Sequence, residues 1–127
     1  MRFIPSRVHG ILDYVVGVLL ILAPRLFGFQ NGGPEDRIPV ILGVMTLIYS
    51  LLTRYELGLF KVIPFRVHLM LDLLSGIFLA ASPWLFGFSE RVWVPHVLVG
   101  LFEIGASLMT QRAPIESAHG TPGKIPV

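Results

Sequence analysis

The sequence predicts an all-α membrane protein with four transmembrane helices, arranged as two tandem copies of one helical hairpin. Three observations carry this expectation. First, 54% of the 127 residues are hydrophobic, only 14% are charged and the mean hydropathy is +0.73, more apolar surface than a soluble domain of this size can bury. Second, the charges are spaced to leave apolar spans: Asp13 alone interrupts Arg7 to Arg25, nothing interrupts Arg37 to Arg54, Asp72 alone interrupts Arg66 to Glu90, and Glu103 alone interrupts Arg91 to Arg112. Each span has the length that a helix rising 1.5 Å per residue needs to cross a hydrocarbon core of about 30 Å. Third, the ending "APRLFGF" at 23–29 returns as "SPWLFGF" at 82–88.

The third observation extends over most of the chain. At an offset of 59 residues, Pro5 matches Pro64, Arg7 matches Arg66, His9 matches His68, Asp13 matches Asp72 and Gly17 matches Gly76. The following helices align at an offset of 56 to 57, "IPVILG" with "VPHVLVG" and "SLLT" with "SLMT". The repeat units are therefore placed at about 5–54 and 64–110, within one four-helix transmembrane domain spanning 1–110.

Taken in order, helix one opens after Pro5 with Ser6 as its cap; the same place in helix three is Phe65, where the cap is lost. Both helices close at the repeated heptad. Pro24 and Pro83 lack an N–H and clash with the preceding turn, so the helix is expected to kink or end there. Phe27, Gly28 and Phe29 in the first copy, and Ser82, Trp84, Phe86, Gly87 and Phe88 in the second, then fall at the depth where aromatic side chains anchor among headgroups. Helices two and four follow short hairpin loops, the first of which is "GFQNGG". Residues 111–127, polar and rich in Pro and Gly, are expected to form a flexible cytoplasmic tail.

Orientation follows from the basic residues. Arg2, Arg7, Arg54, Lys61, Arg66, Arg112 and Lys124 lie at the termini and between helices two and three, whereas the hairpin loops hold Arg25, Arg37 and Arg91. The positive-inside rule places both termini in the cytoplasm, and the two hairpins then insert in the same sense. A net charge of +2 forms no basic patch, so no nucleic acid is expected as a partner. Without cysteine there are no disulfides, thiolate metal sites or c-type haem attachments. The opening has the layout of a signal peptide, but its internal copy at 64–88 argues against cleavage.

"SPWLFGF" and its degenerate partner "APRLFGF", each closing a membrane helix in a two-hairpin chain, resemble the SPW repeat family of small bacterial integral membrane proteins. Ser-Pro-Trp occurs intact once, at Ser82, Pro83 and Trp84; the first copy reads Ala23, Pro24, Arg25. The resemblance covers residues 5 to 110. It implies a four-helix fold in the bacterial inner membrane and no established activity.

Ionisable residues inside apolar helices ask for a reason. His9 and Asp13, four apart, project from one helical face, as do His68 and Asp72. Asp13 and Glu103 lie six and seven residues from their helix ends, roughly 9 to 10 Å deep, so three carboxylates from three helices share a level. Gly17 and Gly76, one turn further, are expected to let helices one and three approach. In one reading these residues are interhelical fasteners, His9 with Asp72 and His68 with Asp13, or each His with its own i+4 Asp. They then belong to a structural or accessory protein whose partners are the bilayer and a homo-oligomer or larger membrane complex. In the alternative reading they hold Zn, Fe or Mn, clasp a haem, or relay protons or a small ion, with His96 extending the relay to the far side. A duller role for His96 is to cap a helix start. No phosphate loop, nucleophile elbow or His-Glu-x-x-His motif is present. The chain is not expected to be an enzyme, and no cofactor is expected under the first reading.

Overall fold

A computed structural model describes residues 3–110; the expected tail, 111–127, lies outside the described residues. The chain forms four helices, α1 (Ser6–Leu26), α2 (Pro34–Leu51), α3 (Phe65–Leu85) and α4 (Val94–Met109). Among the described residues there are no strands beyond two isolated bridges. Two of the helices, α1 and α3, are long and apolar enough to cross a membrane. The other two are shorter: α2 has 18 residues and takes Glu35, Asp36 and Arg37 into its first turn, and α4 has 16.

The repeated heptad ends α1 and α3, although the proline is not what stops them. Pro24 and Pro83 sit inside the last turn, and the helices run on to Leu26 and Leu85. The terminator is the glycine: Gly28 and Gly87 both have φ of 72°, a left-handed conformation that a side chain disfavours. With the glycine turned back, the Pro24 carbonyl accepts from the N–H groups of Phe29 and Gln30, and the Pro83 carbonyl from those of Phe88 and Ser89. Ser82 completes the second copy. The missing N–H of Pro83 would have bonded to the Leu79 carbonyl, and the Ser82 hydroxyl, fully buried, donates to that carbonyl instead at 2.7 Å. Phe27, Trp84 and Phe86 are exposed at the helix ends, as an interfacial anchor requires, but Phe88 points inward and is fully buried.

Each hairpin closes on a glycine pair. A Cβ on Gly43 would lie 2.6 Å from the Gly17 carbonyl oxygen, and a Cβ on Gly100 would lie 2.6 Å from that of Gly76. Gly17 and Gly76 therefore bring α1 onto α2 and α3 onto α4. This corrects the expectation that they draw helices one and three together; those helices meet through His9 with Asp72 and His68 with Asp13 instead.

The halves are then joined by matching contacts. Ile63, before Pro64, bridges to Thr53 at the end of α2, and Ile4, before Pro5, bridges to Thr110 at the end of α4. The start of α1 is thus held against the end of α4 just as the start of α3 is held against the end of α2. Ser6 does not cap α1: its buried hydroxyl donates to both carboxylate oxygens of Glu56 in the α2–α3 connection, at 2.7 and 2.8 Å.

Candidate functional site

The sequence spacing put His9 with Asp13 and His68 with Asp72 on matching faces, and the fold turns those faces toward each other. His9 Nε2 lies 2.7 Å from Asp72 Oδ2 and 3.1 Å from Asp13 Oδ1. His68 Nε2 lies 2.8 Å from Asp13 Oδ2 and 3.0 Å from Asp72 Oδ2. The reciprocal pairs across the pseudo-twofold and the i+4 pairs along each helix therefore occur together, as a closed ring of two imidazoles and two carboxylates. All four residues are buried, with exposures from 0% at His68 to 6% at Asp13. One donor atom from each lies within 4.8 Å of the others.

The other nitrogen of each imidazole is fixed by a threonine. Thr53 Oγ1 donates to the Tyr49 carbonyl at 2.6 Å and stands 2.7 Å from His68 Nδ1. Thr110 Oγ1 donates to the Ala106 carbonyl at 2.5 Å and stands 2.7 Å from His9 Nδ1. A carbonyl can only accept, so each hydroxyl proton is committed and each Nδ1 must carry the proton it donates to threonine. Both rings consequently present Nε2 to the aspartates. The threonines were visible in the repeat as the last letters of "SLLT" and "SLMT", but nothing in one sequence tied them to histidines 15 and 101 residues away.

Two phenols that the sequence reading did not single out finish the carboxylates. Tyr49 donates to Asp72 Oδ1, and Tyr55 donates to Asp13 Oδ2 at 2.9 Å. Tyr55 lies beyond α2, where burial and then the charge of Asp13 push its phenol up from the ordinary value, so it remains a donor. Here the pseudo-symmetry breaks. At the repeat offset of 57, Tyr49 corresponds to Ala106 and Thr46 to Glu103. On the α4 side the phenol is absent and a third carboxylate is present. The vacated volume is a cavity of about 10 Å³, lined by His9, Asp13, Thr46, Asp72, Glu103 and Ala106 among others. Glu103 is 8% exposed, and its Oε2 is buried with no hydrogen-bond partner.

His96 stands apart from this cluster. Its Nε2 donates to the Glu35 carbonyl of α2 at 2.9 Å, and its ring packs between Phe29 and Phe88 of the two heptads, at centroid distances of 5.2 and 4.9 Å. It does not cap α4, which has no side-chain cap. The cavity beside it shares no lining residue with the one beside Glu103. Nearby, the buried Glu35 carboxylate accepts from Arg91 Nε in the α3–α4 loop, an interaction that raises the arginine further above its already high ordinary value.

Paired helical hairpins, each with one helix long and apolar enough to cross a membrane, closed around a buried His/Asp ring, define a small all-helical protein built on an internal repeat. Within that class the chain belongs to the SPW repeat domain family, whose family model matches residues 7–110. No curated protein and no solved structure matches it.

Proposed function

We propose that this chain is an integral protein of the bacterial inner membrane in which all four helices span the bilayer, with both termini cytoplasmic. In this reading it is a structural or accessory protein whose two hairpins are fastened by the His/Asp ring, free to pack as a homo-oligomer or within a larger membrane complex. The reciprocal contacts of His9 with Asp72 and His68 with Asp13 carry the proposal. In an apolar surrounding such pairs have few competing partners, and each contributes about 0.6 to 2 kcal/mol to helix association. The basic residues at the termini and in the α2–α3 connection support the orientation. Exposed Trp84, Trp93 and Phe27 support an interfacial depth for the opposite end.

Two measurements test it. A double-mutant cycle of His9→Ala and Asp72→Ala, read by thermal unfolding in detergent without metal, is expected to show coupling near 1 kcal/mol or above; additive effects would remove the fastening role. The lack of cysteine makes topology mapping clean. Asn31→Cys and Glu90→Cys are expected to react with an impermeant thiol reagent from outside intact cells, and Lys61→Cys only after permeabilisation. Labelling of Lys61→Cys in intact cells would overturn the orientation.

A further inference from the structure

We propose that the ring of His9, Asp13, His68 and Asp72 is a binding site for a divalent transition-metal cation of the Zn²⁺ class, reached from the cavity that Glu103 lines. The inference goes beyond fastening, which needs only hydrogen bonds.

Donor geometry is the first support. The four Nε2-to-oxygen separations run from 2.7 to 3.1 Å. Tetrahedral bonds of 2.0–2.1 Å to nitrogen and oxygen place donors roughly 3.3 Å apart. Opening these edges by a few tenths of an ångström and closing the diagonals, which lie within 4.8 Å, converts the ring into a four-coordinate His₂Asp₂ set, which suits Zn²⁺ and its first-row neighbours better than Mg²⁺ or Ca²⁺.

The surroundings are those of a ligand set. Ligating histidines characteristically donate their second N–H to an oxygen that fixes the tautomer. Here Thr53 and Thr110 do this on both rings, and Tyr49 and Tyr55 hold the carboxylates. Charge closes as well: two neutral imidazoles and two carboxylates carry −2, which one dication cancels as the protons held between Nε2 and carboxylate leave.

The broken symmetry supplies the approach. A site needed only for fastening would repeat Thr46 and Tyr49 on both sides. Instead α4 carries Glu103 and Ala106, leaving a cavity the size of a single ion or water, and a buried carboxylate oxygen without a partner at its edge. That volume admits an ion and excludes a macrocycle.

The test uses the full chain purified in detergent, stripped with chelator and titrated with Co²⁺ as a visible probe. The expected result is one Co²⁺ per chain with the intense d–d bands of a four-coordinate site, bleached by one equivalent of Zn²⁺. Thr53→Val with Thr110→Val keeps all four ligands and is expected to weaken affinity about 10- to 100-fold. Glu103→Gln is expected to slow Co²⁺ uptake while leaving the final spectrum unchanged. A pale six-coordinate spectrum, several weak equivalents, or binding undiminished in His9→Ala with His68→Ala would mean an adventitious ion only and would overturn the proposal. Should the histidine variant not fold, the wild-type spectrum and Glu103→Gln still decide. The fastening cycle is read without metal, so either proposal can fail alone.

Discussion

Asp72→Ala is expected to destabilise the helical bundle by about 3 kcal/mol or more, measured by thermal or denaturant unfolding of the metal-free protein in detergent. The reason is what it leaves behind. Asp72 accepts from Tyr49 through one oxygen and faces both Nε2 atoms through the other, so its removal strands a buried phenol and leaves two imidazoles, nearly or wholly sealed from solvent, to share Asp13 alone. Breaking one member of a buried charged network costs more than the network itself contributes, because the remaining groups keep their desolvation penalty. Two controls make the prediction specific. Asp13→Ala is expected to cost about as much as Asp72→Ala, because Asp13 likewise faces both Nε2 atoms and accepts from a buried phenol, Tyr55. Replacing all four ring residues by apolar side chains of similar volume, together with Tyr49→Phe and Tyr55→Phe, is expected to be near neutral, since the phenols that donate to the aspartates go with their acceptors. Markedly unequal effects for the two aspartates would show that the asymmetry around Glu103 acts on one of them and that the ring is not closed energetically.

That asymmetry also marks the limit of what one sequence discloses. The helices, their repeat and the face shared by each His and Asp follow from spacing alone, since charges at i and i+4 must project together from a helix. The cross pairing was legible because an internal repeat implies a pseudo-twofold, and a twofold makes contacts reciprocal. The glycines were read on the correct face but assigned to the wrong neighbour: spacing gives a direction around a helix axis, and only the fold says which helix lies there. Gly43 and Gly100, which meet Gly17 and Gly76, sit in stretches that were aligned as repeats without a contact attached. Thr53, Thr110, Tyr49 and Tyr55 were missed for a related reason. A hydroxyl near a helix end is common, and its partner here is fixed by tertiary closure rather than by any sequence interval. The heptad was read as a terminus, correctly, but its proline received the role of Gly28 and Gly87, because a missing N–H is obvious in sequence whereas a left-handed φ is not.

Gly58→Ala is the second large effect expected, again about 3 kcal/mol or more by unfolding, from a residue outside every helix and outside the ring. A Cβ on Gly58 would lie 1.8 Å from the Thr53 carbonyl oxygen and 2.9 Å from its carbon, both backbone atoms that no rotamer change can withdraw. Relief requires moving the turn closed by the Gly58 N–H on the Tyr55 carbonyl, or moving Thr53 itself. Thr53 is the poorer one to move. It bridges to Ile63, its hydroxyl holds the Tyr49 carbonyl and it fixes His68 Nδ1. Tyr55, the donor to Asp13, lies on the same short turn, so both a histidine and an aspartate of the ring lose their outer partners from one methyl group. The disturbance should also be one-sided. Nitrogen NMR of the imidazoles is expected to show the His68 Nδ1 signal shifted while His9, held by Thr110 at the other end of the pseudo-twofold, keeps its own. A loss of stability with both histidine signals unchanged would mean that the turn acts only as a steric element and does not position the ring.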